Sequence, residues 1–250
     1  MVLVVMAVLG IGAVAWFATR PGTPTSSTAT PSASPAPVGS YRVAAGEGGT
    51  TVASDGRTPV GYEQSCEGAV AAATNYSAGI WDATFQGQMS EEQFVAYLTE
   101  INGGLDDGAT TGDEDSPLAA LVTEFATIRA DATEMRELGI DFDPDGQLHP
   151  EWGGFLVQSC TSGGQATVQV LGYSDSHLGE GGVGGYEAVS ATVAWVGGDW
   201  RLIERVDLNN DDLPEGYLDV EVAPVSAADR RAWITTAGPG WTEYTNAPQD

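Results

Sequence analysis

The chain contains no lysine. All nine of its basic residues are arginine, against 35 Asp and Glu, and the formal net charge over 250 residues is −26. Without lysine, Schiff-base catalysis and the lysine-containing phosphate loop of nucleotide-binding proteins are excluded. A uniformly acidic surface repels phosphate backbones, so nucleic acid is excluded as a partner. The acidity by itself indicates solubility rather than an activity.

Histidine is almost as scarce, since His149 and His177 are the only two. A Ser-His-Asp triad would have to use one of them. Neither lies near a nucleophile elbow, and the chain has no G-x-S-x-G motif. We interpret both histidines as structural or surface residues. No Cys/His spacing typical of a metal site occurs, so the sequence predicts no catalytic residues and no cofactor.

The longest apolar run is N-terminal, over residues 2–18 (VLVVMAVLGIGAVAWFA), and Arg20 follows it. Its length is at the lower end for a membrane-spanning helix, which needs ~20 residues. A cleavable signal peptide usually begins with a basic region, which this run lacks. Ala13–Ala15 resembles a cleavage site, but the apolar run continues beyond it. We predict an uncleaved transmembrane anchor over residues 1–20, with a cleaved signal peptide as the alternative.

Residues 21–57 are rich in Pro, Ser, Thr and Ala and carry few bulky apolar side chains. Such a segment cannot bury enough surface to fold, so we predict a disordered linker. The remainder, 58–250, is long enough for one α+β domain, with 208–250 as an irregular C-terminal extension. An anchor, a linker and a folded domain predict a single-pass cell-membrane protein whose C-terminal domain is extracytoplasmic.

The chain has two cysteines, Cys66 and Cys160. Outside the cytoplasm an even pair indicates a disulfide, whereas two buried thiols that never meet are the alternative. Closing so long a loop restricts the unfolded chain and is worth roughly 4–5 kcal/mol.

The first half of the domain has the apolar periodicity of helices. Each predicted helix follows a serine, which is a favourable N-cap, and Ser90 with Gln93 forms a capping box. The predicted helices are 66–85, a second from Ser90 to Gly103, and a third from Ser116 to Leu138. All three carry an apolar face at helical spacing.

The second half has the alternating pattern of strands. The predicted strands are 155–160, 165–173, 187–196 and 200–206. Gly197-Gly198-Asp199 predicts a hairpin turn between the last two. Residues 174–185 are rich in glycine, and we interpret them as a flexible loop because a strand, and not a helix, follows. The fold class predicted is α+β, with three helices packed on a curved antiparallel sheet of three to four strands.

Two stretches carry a resemblance to known proteins. Pro59-Val60-Gly61-Tyr62 and Cys66–Tyr76 (CEGAVAAATNY) resemble a recurring opening in actinobacterial single-pass membrane proteins of uncharacterised function. The order of three helices and then a sheet resembles the nuclear-transport-factor-2-like (cystatin-like) fold. The layout is similar to bitopic scaffold subunits of type IV secretion and conjugation machines, and to proteins that accompany lipid-importing complexes. The resemblance implies a cone-shaped domain that serves assembly or binding.

One acidic segment resembles the start of a calcium loop. Asp141, Asp143 and Asp145 alternate as oxygen ligands do, and a glycine follows. Position 12 of such a loop requires a bidentate carboxylate, but here it is Trp152. An acidic turn after the third helix is the alternative interpretation.

Three tryptophans fall outside the core positions of the predicted elements: Trp152, Trp233 and Trp241. They either line a pocket or a protein interface, or pack the C-terminal tail onto the sheet. Our first functional hypothesis is a non-enzymatic domain for protein–protein assembly or self-association in a cell-envelope complex, of the secretion or conjugation type. The alternatives are a binder of a small apolar ligand or lipid in a cone-shaped pocket and, third, a hydrolase or isomerase.

Overall fold

The computed structural model describes residues 41–86, 88–111, 113, 116–138, 142–161, 164–178, 181–208, 226–236 and 240–249. Residues 1–40, which hold the predicted anchor and half of the predicted linker, lie outside them. None of the helices within the described ranges is both long enough and apolar enough to cross a membrane. The anchor over residues 1–20 therefore stays a prediction.

The fold class is α+β, as predicted, and four of the five described helices precede the main sheet. A small hairpin comes first, formed by β1 (Thr51–Val52) and β2 (Pro59–Val60). The helices are α1 (Cys66–Phe85), α2 (Glu91–Asn102), α3 (Gly108–Thr111), α4 (Pro117–Glu137) and α5 (Ala227–Thr236). The three predicted helices are α1, α2 and α4, and the single turn α3 and the C-terminal α5 are additional.

Local capping explains where these helices begin and end. The Ser65 hydroxyl accepts the Gly68 N–H at 3.0 Å at the start of α1. Ser90 and Gln93 form both hydrogen bonds of the predicted capping box on α2. Gly103 ends α2 in the left-handed region, with φ of 71°, a conformation that glycine adopts without strain.

The main sheet is antiparallel and has five strands among the described residues. They are β3 (Phe142–Cys160), β4 (Gln165–Leu178), β5 (Gly181–Val196), β6 (Asp199–Asp207) and β7 (Trp241–Thr242), in the spatial order β6-β5-β4-β3-β7. The predicted number of three to four strands is wrong, because the C-terminal segment adds β7 beside β3 through the pair Leu156↔Trp241. Pairing with β7 satisfies some of the backbone N–H and C=O groups at the edge of β3, and the Trp241 indole is buried there.

The glycine-rich stretch 174–185 differs from the flexible loop predicted for it. Its described residues extend β4 and β5, with Ser174 opposite Gly185 and Leu178 opposite Gly181. Strand β3 likewise begins thirteen residues before the predicted Phe155, at Phe142. Backbone hydrogen bonds to the neighbouring strands determine how far these strands extend, because the alternation of apolar and polar residues is weak in this part of the sequence.

The main core lies between the helices and one face of the sheet. Its largest fully buried side chains come from both layers: Tyr76, Phe94, Tyr97, Phe155 and Trp200. The hydroxyl groups of the two tyrosines are hydrogen-bonded, as in the bond from Tyr76 to the Trp200 carbonyl at 2.8 Å. Side chains from the helices and from the sheet therefore form one main core.

Residues 41–57 belong to the predicted linker, but here they pack on the domain. Val43, Ala45 and Ala53 are buried in the main core. Further along this segment the Asp199 carboxylate accepts the N–H groups of Gly61 and Tyr62, both at 2.9 Å. The folded region thus includes residue 41, and these residues form one wall of the site described below.

The C-terminal segment covers the opposite face of the sheet. There α5 and β7 pack over a second apolar cluster that contains Tyr173, Tyr186, Trp233 and Trp241. The packing of the tail onto the sheet, one of the two interpretations of the tryptophans, is confirmed. The other part of the predicted irregular extension, 209–225, lies outside the described residues.

Candidate functional site

A cavity of about 610 Å³ lies beside the C-terminal half of α1. Its walls are formed by residues 45–59, called the N-terminal segment below, by α1 and α2, and by the first part of β3. The polar groups on these walls include Asp55, Arg57, Asp82, Gln86, His149 and Glu151. Ala78, Gly79 and Ala83 supply a small-residue floor between them. The volume falls in the range of small-molecule sites.

Asp82 is the central acidic group of this cavity. It lies in the last turn of α1, and its Oδ1 accepts the Leu148 N–H at 3.0 Å. Burial raises the pKa of this carboxyl from 3.8 to about 6, although the Leu148 hydrogen bond, Arg57 and His149 all act to lower it. A carboxyl with such a pKa gains or loses its proton near neutrality, which is typical of functional sites.

His149 stands next to Asp82 between two further carboxylates. Its Nδ1 lies 3.1 Å from Glu151 Oε1, and its Nε2 lies 3.3 Å from Asp175 Oδ2. The hydrogen bond to Glu151 is the largest effect, and it raises the pKa of the imidazole above its usual 6.5. Because both ring nitrogens face acceptors, the imidazolium form satisfies both contacts.

Gln86 is a deeply buried polar side chain on the wall, at 6% exposed. Its Oε1 accepts a hydrogen bond from the Arg57 guanidinium, and Arg57 Nη2 also donates to Gln88 Oε1 at 3.3 Å. A guanidinium only donates, so the amide oxygen of Gln86 must face it and the Nε2 points elsewhere. That buried Nε2 has no acceptor among the described residues.

The wall formed by the N-terminal segment is held in place by a hydrogen bond between two buried hydroxyl groups. Asp55 accepts the Thr58 N–H at 3.0 Å and the Thr58 hydroxyl at 2.5 Å. The Thr58 hydroxyl also lies 3.0 Å from the Tyr97 hydroxyl, which is fully buried. A Cβ at Gly79 would lie 2.2 Å from Thr58 Oγ1, so glycine at this position permits the wall to approach α1.

The predicted disulfide is confirmed. Cys66 and Cys160 are bonded, with their Cα atoms 6.0 Å apart, and they join the start of α1 to the end of β3. The bond closes a loop of 94 positions that contains α1 to α4 and β3. It lies at the other end of α1 from the cavity, so it stabilises the frame of the site and not its chemistry.

The predicted calcium ligands are not brought into a site by the described residues. Asp141 lies outside them, and Asp143 and Asp145 fall within β3, where only the backbone is described. In the part of the chain that the structure describes, no cluster of three or more His, Cys, Asp or Glu side chains is placed to hold a metal ion. The calcium interpretation therefore stays a prediction.

The aromatic side chains outside the core form a continuous row. Trp152 lies 5.7 Å from His149 and 5.7 Å from Tyr173, measured between ring centroids. The row continues through Tyr186, 5.4 Å from Tyr173, to Trp233 at 4.7 Å. It connects the rim of the cavity to the sheet face covered by α5.

The sequence gives little sign of the cavity. Asp82 and Gln86 are spaced i, i+4 on one face of α1, and Arg57 is one of only nine cations in an acidic chain. These features can be read from the sequence. Nothing in the sequence, however, indicates that Leu148 and His149, which are 66 and 67 positions away along the chain, lie next to Asp82 in the fold. His149, interpreted as structural or surface, lies on the cavity wall.

Comparison with known proteins identifies no relative. No protein-family model, no curated protein and no solved structure matches the chain. The function must therefore be inferred from the geometry of the chain itself.

Proposed function

We propose that this domain binds a small polar molecule in the cavity beside α1, and that it does so outside the cytoplasm while held at the membrane by residues 1–20. The observation that carries the proposal is the Asp82 carboxyl on the wall of this cavity, whose Oδ2 makes no hydrogen bond with a described residue. Polar groups that are largely buried are normally hydrogen-bonded, so an open acceptor on a cavity wall supports a polar ligand.

The lining supports a polar ligand over the apolar ligand or lipid that the sequence also suggested. Amides and charged groups contribute much of the wall, whereas the large aromatic side chains are in the core or on the other sheet face. An apolar molecule would dehydrate the Asp82 carboxyl without giving its Oδ2 a partner, which is costly.

The arrangement supports binding more than turnover. Both nitrogens of His149 lie within hydrogen-bond distance of carboxylates, so the ring is engaged by Glu151 and Asp175 and is not directed at a substrate as a base. We therefore propose a binding domain and no reaction.

The extracytoplasmic location is supported by the disulfide, because such bonds persist in oxidising compartments. The apolar run over 2–18 and the Pro/Ser/Thr-rich segment after it support membrane display. The test is fractionation of cells that express the full chain, followed by external protease. Recovery in membranes and digestion from outside are expected, and recovery in the cytosol would contradict the location.

A second candidate is the assembly of an envelope complex or self-association, as in the bitopic scaffolds that the layout resembles. The observation that favours it is the aromatic row, in which Trp152 and Trp233 are only half-buried. Aromatic residues are enriched in interfaces. Crosslinking in native membranes is the test, and recovery of monomer alone would contradict this second function.

The main proposal is tested by a screen of polar small molecules against the full-length chain, read from the amide signals of the Gln86 side chain and the Leu148 backbone. A ligand should shift both signals, and Asp82→Asn should abolish or weaken the response. Asp131→Asn is the matched control, because Asp131 is an exposed carboxylate on α4, remote from the cavity lining. An equal response in both variants would contradict the proposal.

A further inference from the structure

We infer that the ligand is a zwitterion of the amino-acid class, with its ammonium group at Asp82 and its carboxylate at Arg57. This inference rests on the proposed function, and it specifies which polar molecule the cavity takes.

The cavity presents an acceptor and a donor pair side by side. Asp82 uses Oδ1 for the Leu148 N–H, while its Oδ2 makes no hydrogen bond with a described residue. Gln86 is one helical turn further along α1, with its Cβ about 5–6 Å from that of Asp82, and its Oε1 holds the Arg57 guanidinium near Asp82. A ligand held by Asp82 and Arg57 must therefore carry a donor and an acceptor.

The charges next to these groups indicate what the donor and the acceptor are. Arg57 contacts Gln86 and offers five N–H donors, of which the described contacts to side chains use two. The remaining donors of Arg57 form a cationic group suited to a carboxylate. Asp82, Asp55 and Glu151 make the remainder of the wall acidic, which suits an ammonium group.

Simple ions fit less well. The protein carries a net charge of −26, so it repels a plain anion from the cavity despite Arg57. A plain cation would meet the Arg57 guanidinium on the same wall without offering it an acceptor. A zwitterion satisfies both ends and brings no net charge, and the small residues Ala78, Gly79 and Ala83 leave room for its side chain.

The charged groups around Asp82 determine how binding depends on pH. Arg57 from the N-terminal segment and His149 from β3 favour the carboxylate form, whereas Asp175 from β4 and burial oppose it. An ammonium group binds the carboxylate and not the acid. Affinity is therefore expected to rise as the pH increases from 5 to 7.5, and bound ligand lowers the pKa of Asp82.

The test is calorimetry on the full-length chain with glycine, alanine and dialanine as probes. Each is compared with alaninamide, which lacks the carboxylate, with N-acetylalanine, which lacks the ammonium group, and with methyl glucoside, a neutral polyol. Binding of at least one zwitterion is expected, with a loss of roughly tenfold or more when either charge is removed from it. Asp82→Asn and Arg57→Gln should each cause a comparable loss, whereas the exposed controls Asp131→Asn and Arg42→Gln should cause none.

The outcomes separate this inference from the proposed function. Binding of methyl glucoside without binding of any zwitterion would overturn the zwitterion and leave a polar-ligand site in place. N-acetylalanine or alaninamide binding as tightly as alanine would also overturn the inference, on the wild-type chain and independently of any variant. No response to any probe would overturn the zwitterion, and only the broader polar screen then decides the proposed function.

Discussion

The carboxylate of Asp82 accepts the backbone N–H of Leu148 at 3.0 Å, and this bond joins the last turn of α1 to the first part of β3. It places a carboxyl with a pKa of about 6 next to His149, whose own neighbours are Glu151 and Asp175. The cavity chemistry follows from this contact between two elements that are remote in sequence.

The raised pKa of Asp82 predicts a specific dependence of stability on pH. The folded state binds this proton more tightly than the unfolded chain does, so the stability contribution is lost as the pH rises through about 6. Asp82→Asn keeps an acceptor for Leu148 and removes the charge. The unfolding free energy of the variant minus that of the wild type should therefore be roughly 1–2 kcal/mol larger at pH 8 than at pH 4.5.

Urea unfolding of both full-length proteins at the two pH values measures this difference. Asp131→Asn serves as the control, since it makes the same substitution at an exposed position of α4 outside the cavity lining. A flat or opposite trend for Asp82→Asn would show that the carboxyl is not perturbed by burial.

The disulfide should contribute much of the stability of the domain. Replacing Cys66 and Cys160 together by serine releases a loop of 94 positions and is expected to cost roughly 2–5 kcal/mol. Urea unfolding of the wild-type chain with and without reductant should reproduce the loss. If the reduced and oxidised proteins unfold at the same urea concentration, the bond does not constrain the chain as described.

Gly79→Ala should destabilise the protein although alanine is the better helix former. The added Cβ would lie 2.2 Å from the Thr58 hydroxyl oxygen and 2.3 Å from the Tyr97 hydroxyl. One of these buried groups must move, and we expect a net loss of about 1–3 kcal/mol. Thermal unfolding measures the effect. A rise in the melting temperature would mean that the wall does not approach α1 so closely.

The C-terminal segment should depend on one buried arginine. Arg230 is 2% exposed, bonds Glu243 at 2.9 Å and donates to the Pro248 carbonyl at 2.6 Å. Arg230→Met should speed hydrogen exchange over 241–249 and lower stability by roughly 1–3 kcal/mol. Arg231→Met is the matched control, because Arg231 is exposed and contacts the same Glu243 at 3.5 Å. Equal exchange in the two variants would contradict this role.

Much of the fold could be predicted because its signals are local. The serine caps and apolar periodicity define α1, α2 and α4, and the turn at Gly197-Gly198 defines the β5–β6 hairpin. Where the signal depends on distant neighbours, the prediction failed. Strand β7 is two residues long and exists because β3 has an edge beside it, and the burial of 41–57 depends on contacts with α1 and the C-terminus.

The candidate site shows the same division. Cys66 and Cys160 could be paired from the sequence because only two cysteines exist. Asp82, Gln86 and Arg57 could not be grouped, since polar residues near a helix end are ordinary and their partners come from other elements. Leu138 is a case in which a local signal is misleading. It continues the apolar stripe of α4 in the sequence, but it lies one residue beyond the helix and is 71% exposed.

The central claim is that the Asp82 cavity binds a small polar molecule. The most direct measurement is the carboxyl carbon signal of Asp82 in the full-length chain, titrated with pH in the absence and presence of a screened ligand, with alanine as the first probe. We predict a midpoint near 6 without ligand and a lower midpoint with it, because the ligand binds the carboxylate form. A midpoint that no polar molecule moves, while other residues respond, would contradict the claim.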